Sequence, residues 1–528
     1  MPILTKVQNI PMWTERRLNM QHMNSETSSY QELEPYLEQA MAFQTALILL
    51  EWDNETLAPE AAGAYTAKVQ GTLWAAYQKI ITDKHVRELI GQCREEEKLT
   101  EVQKAIVREA WEEVKELECI PPEEYRAYQE LTAESARIWA KAKKEQDFDA
   151  FAPTLEKIIS YQKKFASYRA KDGQRLYDVM LDHYEKGFHM EELDRFFGEL
   201  KKELVPLLHQ VMESNVKIRD SFLTGDYPEE KQQELAEYLA KYVGFDFTKG
   251  VMAVSAHPFT TNLHNHDVRI TTHYTDSVDS SLFSVIHESG HGIYEMGIRD
   301  DLTQTLVGQG ASMGMHESQS RFFENMIGRN EAFWIPVYPK LQQIFPEQLG
   351  NVSRDQFVRA VNKIQPGLIR TEADELTYSL HVLVRYELEK QLIEEDLDVK
   401  ELPKLWADKY EEYLGIRPEQ AAEGVLQDIH WSQGSFGYFP SYALGSAFAA
   451  QIHAHMTKVM DFDGLLAEGK ISVIREYLRE HIHQYGKLKT SRELLKSMTG
   501  EDFSPKYYVE YLKRKYGRLY QLDGTRDA

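Results

Sequence analysis

Residues 282–294 read Leu-Phe-Ser-Val-Ile-His-Glu-Ser-Gly-His-Gly-Ile-Tyr. The apolar residues Leu282, Phe283, Val285, Ile286, Ile293 and Tyr294 recur at the three- and four-residue spacing that gives a helix one buried face. On such a helix His287 and His291, four residues apart, lie one turn above the other on the same side. The same period runs outward in both directions. Towards the N-terminus it is carried by Leu33, Tyr36, Leu37, Met41, Ala46 and Leu49, and residues 99–148 read as two long charged helices broken at Pro121-Pro122, where the hydrogen-bond ladder cannot continue. Further helices are expected at 191–215, 229–243, 354–364, 367–395, 402–414, 439–460, 470–483 and 488–499. With only 29 glycines and 18 prolines in 528 residues, the composition agrees with a mainly α protein.

One segment, Gly250 to Tyr274, departs from this pattern. Val268, Ile270, Thr272 and Tyr274 alternate with Arg269, Thr271 and His273, which predicts a small β-ribbon beside the 282–294 helix. No repeat, low-complexity tract or Gly/Ser linker divides the rest, so residues 23–528 read as a single helical domain around a cleft, preceded by an N-terminal extension, 1–22. That extension carries Arg16 and Arg17 but no apolar core of signal-peptide type, and no apolar run reaches the ~20 residues that span a bilayer. A formal charge of −23 with no basic stripe argues against nucleic acid and anionic membranes as partners. Two cysteines, Cys93 and Cys119, are too few for a disulfide framework and read as packing residues of a cytoplasmic protein.

The pattern His287-Glu288-Ser289-Gly290-His291 pairs two imidazoles for a tetrahedral metal with an adjacent carboxylate. In a chain with 18 histidines among 528 residues, under about 0.1 such matches arise by chance, so the five residues suggest a zinc centre and call for a third ligand. The segment Gly314 to Ser320, on the next expected helix, supplies candidates: Glu317, with Glu324 and His316 competing. Two imidazoles packed or capped within a helix, with Glu288 as surface charge, are the alternative for the motif alone.

Further motifs, in order, raise the specificity. They are His257-Pro258-Phe259, Asp267-Val268-Arg269-Ile270-Thr271, His287 to His291, His316-Glu317-Ser318, Ile369-Arg370-Thr371 with Ala373-Asp374, and Gly424 to Trp431. Together the chain resembles the carboxypeptidase Taq family of zinc metallocarboxypeptidases over nearly its whole length after the extension. The resemblance implies a large helical peptidase fold around a deep substrate groove, removal of C-terminal residues from peptides with broad specificity, and His287, His291 and Glu317 as ligands of one Zn2+, for which Co2+ can substitute. It also implies a homodimer.

Roles follow for the remaining residues. Glu288, beside a ligand, suits the general base that takes a proton from the attacking water and returns it to the leaving amine. His430 and Tyr442, in a Gly- and aromatic-rich loop entering a helix, resemble the His and Tyr donors of related helical zinc peptidases, with Tyr438 the alternate hydroxyl. Arg370 is the candidate for the substrate carboxylate, because its planar fork binds carboxylate in two places, and Asp374 four residues on is a candidate to steady it. His257, Asp267, Arg269 and Thr271 are candidate peptide contacts along an exposed strand edge. The competing readings are an oligopeptidase or dipeptidyl carboxypeptidase using the same chemistry and, in a different class, a catalytically silent peptide-binding scaffold.

Overall fold

The computed structural model describes residues 28–522, and the expected 1–22 extension lies outside them. Helices dominate, and several begin where the sequence supplies a cap. Ser28 and Thr100 each form a capping box with Gln31 and Gln103, opening helices Ser29–Thr56 and Glu101–Glu118. The break expected at the proline pair falls between Glu101–Glu118 and Pro122–Glu145, where Pro122 occupies the first turn and its missing N–H has no helical partner to lose. The spans expected at 229–243 and 402–414 are Glu229–Val243 and Leu402–Leu414. Those at 191–215, 354–364, 439–460, 470–483 and 488–499 are Met190–Glu213, Arg354–Val361, Pro440–Val459, Ile471–His481 and Ser491–Thr499.

The expected 367–395 helix is the exception. It divides into a single 3-10 turn, Arg370–Glu372, and a helix that starts only at Tyr378. Asp374 is the cause: its carboxylate accepts from the backbone N–H of Gln365 at 3.0 Å and of Thr377 at 2.9 Å, offering the chain a local alternative to helix. Arg370 therefore does not begin a long helix, and Asp374 is engaged elsewhere.

The expected ribbon is a mixed three-stranded sheet of β1 (Gly250–Val254), β2 (Thr260–His264) and β3 (Asp267–Thr272), in the order β1-β3-β2. A hairpin joins β2 to β3, and β1 lies parallel on the far side of β3, with Met252 opposite Ile270. The alternation in the sequence has a direct cause: Val268 and Ile270 are fully buried and Asp267 and Arg269 are half-buried on the other face.

Among the described residues, most buried apolar side chains fall into two clusters. The smaller joins the first helices, through Leu33, Ile81, Ile90 and Ala110, to Ile298, Leu302 and Val307 just beyond the His287 helix. From the first helix, Trp52 meets Phe259 edge-on at 5.5 Å and lies under Arg269 at 5.7 Å, so that helix sits against the sheet.

The larger cluster surrounds helix Val278–Met296, which packs on Glu229–Val243, β2, β3 and helix Met313–Arg321. Glycines bring the last of these close. A Cβ on Gly290 would come within 2.8 Å of Gln319 O and Ser320 Cα, and one on Gly445, in helix Pro440–Val459, within 2.6 Å of the Glu317 side chain. Helix Met313–Arg321 is thus held between two surfaces that any larger residue would push apart.

Candidate active site

Close packing at Gly290 delivers Glu317 to the two histidines. Glu317 Oε2 lies 3.6 Å from His287 Nε2 and 3.5 Å from His291 Nε2. One ligand atom from each of the three residues lies within 4.8 Å of the others. The other ring nitrogens are taken. His287 Nδ1 is 2.9 Å from Glu324 Oε2, and His291 Nδ1 is 2.6 Å from His316 Nδ1, whose Nε2 is 2.7 Å from Glu295 Oε1. Two imidazoles oriented from behind, plus one carboxylate, form the three-ligand donor set of an open metal site, and these residues fit one. Glu324 and His316 lie instead behind the two imidazoles, at the Nδ1 of His287 and of His291.

A π-helical segment, Phe322–Gly328, carries Glu324 to that position directly after the helix bearing Glu317. Arg321 binds both carboxylates, donating from Nε to Glu317 Oε1 at 2.7 Å and from Nη1 to Glu324 Oε2 at 3.0 Å. Burial pushes the Glu317 and Glu324 carboxyls up, but Arg321 and the histidines outweigh it and hold both well below the usual carboxylate range. For His287, burial, which lowers it, is outweighed by Glu317 and the Glu324 hydrogen bond, whereas burial pushes His291 down to about 3. A neutral His291 keeps a lone pair for a metal.

Glu288 is buried, and Thr260 of β2 donates its hydroxyl to Oε2 at 2.5 Å. Burial raises the Glu288 carboxyl above its ordinary value even against His287 and that hydrogen bond. The sheet therefore acts on the site through Thr260, a residue the sequence reading passed over.

A second polar cluster is built around Asp428. Its Oδ1 accepts from Arg370 Nη2 at 2.8 Å, and its Oδ2 accepts from Arg385 Nε at 2.7 Å. Asp428, not Asp374, steadies Arg370, whose Nη1 also donates to the Tyr378 hydroxyl at 3.3 Å. Arg321 stacks over the Tyr378 ring at 4.0 Å and binds Glu317, which links this cluster to the His287–His291–Glu317 group. Arg370 in turn lies over the Tyr442 ring at 4.8 Å. His430 Nε2 is 3.4 Å from the Tyr442 hydroxyl, and the Tyr438 and Tyr442 rings meet edge-on at 5.2 Å. Burial, then Arg370, pushes His430 down to about 4, so its imidazole is neutral at neutral pH.

The remaining candidates sit further out. Asp267 and Arg269 form a two-pronged pair at 2.9 Å on β3, and His257 is exposed in the β1–β2 loop. Thr271 is fully buried; its hydroxyl accepts from Phe259 N at 2.9 Å and from Ser255 Oγ at 2.7 Å. It braces the loop bearing His257 and offers no face to a groove. The residues missed, Thr260, Arg321, Tyr378 and Arg385, left one faint signal: Arg321 lies four residues after Glu317 on the same helix.

Residues 32–516 match the family described as carboxypeptidase Taq (M32) metallopeptidase. The chain is 42% identical over 483 residues to carboxypeptidase 1 of Bacillus subtilis, covering 91% of this chain and 96% of the relative. It is 36% identical to thermostable carboxypeptidase 1 of Pyrococcus furiosus, covering 89% and 94%. Among solved structures, the M32 carboxypeptidase from Deinococcus radiodurans superposes with a TM-score of 0.91 at 33% identity, covering 94% of this chain and 100% of that one.

Proposed function

The chain belongs to the carboxypeptidase Taq family and is a metallocarboxypeptidase, and from that premise we propose that it uses one zinc ion, held by His287, His291 and Glu317, to release single C-terminal residues from peptides. The convergence of those three side chains, with Glu288 beside them on the same helix, carries the reading. When bound, the ion supplies Lewis acidity, bringing the pKa of water near 7 and polarising the scissile carbonyl.

The chain's own residues do the rest. Glu288, steadied at Oε2 by Thr260, accepts the proton of the attacking water and returns it to the departing amine. Tyr442 and neutral His430 donate hydrogen bonds to the carbonyl oxygen as it gains charge, with Tyr438 as the neighbouring hydroxyl. Arg370 and Arg385 share one aspartate, so the cluster retains a positive charge, and Arg370 presents it to the substrate carboxylate. His257, Asp267 and Arg269 contact the peptide further from the cut, and β2 or β1 offers an edge for its backbone.

Two free cysteines in 528 residues support a cytoplasmic home. The exposed apolar residues Leu57, Tyr65, Val69 and Trp74 on the second helix and the turn before it support a homodimer, which sedimentation tests. Activity is tested with one peptide bearing a free or an amidated C-terminus, before and after chelation and reloading with zinc or cobalt. Loss of cleavage on chelation, its return on reloading, and strong preference for the free acid are expected; equal cleavage of the amide would replace the exopeptidase with an oligopeptidase.

A further inference from the structure

Glu389, on helix Tyr378–Glu394, is fully buried, and the reaction as derived makes no use of it. Three neutral groups donate to its carboxylate. Trp431 Nε1 donates to Oε1 at 2.7 Å, while Gly437 N at 2.8 Å and the Tyr177 hydroxyl at 2.7 Å donate to Oε2. Arg385, one turn earlier on the same helix, is committed to Asp428. Burial pushes the Glu389 carboxyl up to about 7 in spite of the three donors, so a charge here is held at a cost to the fold.

The identity of the donors suggests what that cost serves. An indole N–H and a backbone N–H are fixed donors that cannot accept, and they approach different oxygens. A glutamine has a single carbonyl oxygen and would turn its NH2 towards one of them. Only a group that accepts at both ends satisfies Trp431 and Gly437 together.

These two residues bracket a tight turn. Gly434 N bonds to Trp431 O and Ser435 N to His430 O, and Gly437, at φ +84, runs so close to the Met180 backbone that a Cβ would lie 2.9 Å from its carbonyl. His430 directly precedes Trp431, and Tyr438 directly follows Gly437. Each oxygen of Glu389 thus anchors the neighbour of a residue facing the site. We propose that Glu389 is a positioning residue that clamps both ends of the 430–438 turn and so fixes His430 and the Tyr438–Tyr442 pair against the scissile carbonyl. The proposal rests on the reading of His430 and Tyr442 as donors to that oxygen.

The zinc-loaded full chain tests it, with an N-blocked tripeptide bearing a free C-terminus as substrate. Glu389→Gln should lower kcat by about 10- to 100-fold, the loss that displacement of reacting groups by on the order of 1 Å brings. KM should change less than about twofold and zinc content should not change. Hydrogen exchange should accelerate in 430–438 with helix Val278–Met296 unaffected. Trp431→Phe, which deletes one donor and leaves Glu389 intact, should lower kcat several-fold, and it carries the test if Glu389→Gln fails to fold. The double variant should be no worse than the poorer single one, because the amide then meets no opposing N–H; additive losses overturn the clamp.

His430→Ala and Tyr442→Phe are measured alongside. If they lower kcat and Glu389→Gln does not, the proposal alone is overturned; if they leave kcat intact, their assignment as donors fails and the positioning role falls with it.

Discussion

Glu324→Gln is the most informative single change at the metal site. Glu324 was a rival ligand in the sequence, and in the fold it stands behind His287 at 2.9 Å while also receiving Arg321 at 3.0 Å and Arg329 at 3.3 Å. An amide keeps the shape but removes the charge. Its carbonyl can still accept from His287 Nδ1, so the imidazole keeps its tautomer but loses a charge-assisted bond. Arg321 then keeps Glu317 as its carboxylate partner at 2.7 Å and competes harder for that carboxylate's electrons. Losing support behind a ligand weakens metal binding by about 10- to 100-fold, roughly 1.4–2.7 kcal/mol. The apo fold should lose about 1.5–3 kcal/mol, because two half-buried guanidinium groups keep only part of their compensation. Competition against a coloured chelator at pH 7.5 measures the first, and urea unfolding of the apo protein the second. Glu317→Gln is the reference and should lose the metal almost entirely. If Glu324→Gln binds zinc as tightly as the parent, its orienting role is refuted; if it fails as completely as Glu317→Gln, Glu324 is itself a ligand.

Other outcomes follow from the same geometry. Glu288→Gln should retain zinc and lose on the order of 10²–10⁴ in kcat, read by metal analysis and peptide hydrolysis. Thr260→Val removes a hydrogen bond that favours the ionised Glu288, so the acid limb of kcat/KM should move to higher pH; an unmoved limb would separate Glu288 from that limb. Arg370→Gln should raise KM for a free-acid peptide by about 30-fold or more with zinc content unchanged, and a KM within twofold of the parent would reassign the carboxylate contact. Glu185 is buried, accepts from Gly314 N at 2.9 Å and from Ser491, and is pushed up from 4.5 to about 7 by burial. Between those two values the folded state holds a proton that the unfolded state releases, so stability falls as pH rises through the window, by on the order of 3 kcal/mol. Here one partner is a hydroxyl that can turn to accept, so Glu185→Gln should be tolerated. Its stability relative to the parent should improve from pH 5 to pH 8 in urea titrations, and a constant difference would contradict the assignment.

The amino-acid sequence by itself determined what repeats locally. Helical period and the proline pair are properties of neighbouring residues, which is why the helical repeat from Leu33 to Leu49, the break before Pro122 and the span Glu229–Val243 were legible. The pairing of His287 with His291 was legible for the same reason, since helix geometry alone sets their separation. Asp374 marks the limit of that reading: by pattern it extends a helix, yet its carboxylate binds backbone groups on either side and stops one.

Tertiary structure alone decided everything that depends on two distant segments meeting. Which of Glu317, Glu324 and His316 comes near the Nε2 atoms of both His287 and His291 turns on how closely two helices approach, and that distance is set by the missing side chains of Gly290 and Gly445. That Asp428 holds Arg370, that Thr260 reaches Glu288, and that Thr271 turns inward to brace a loop are likewise contacts across 58, 28 and 12 residues. Residue type and spacing establish which groups can do chemistry, because those are short-range facts of the chain. Which of them share a site is fixed only when packing brings remote backbones within a side chain's reach.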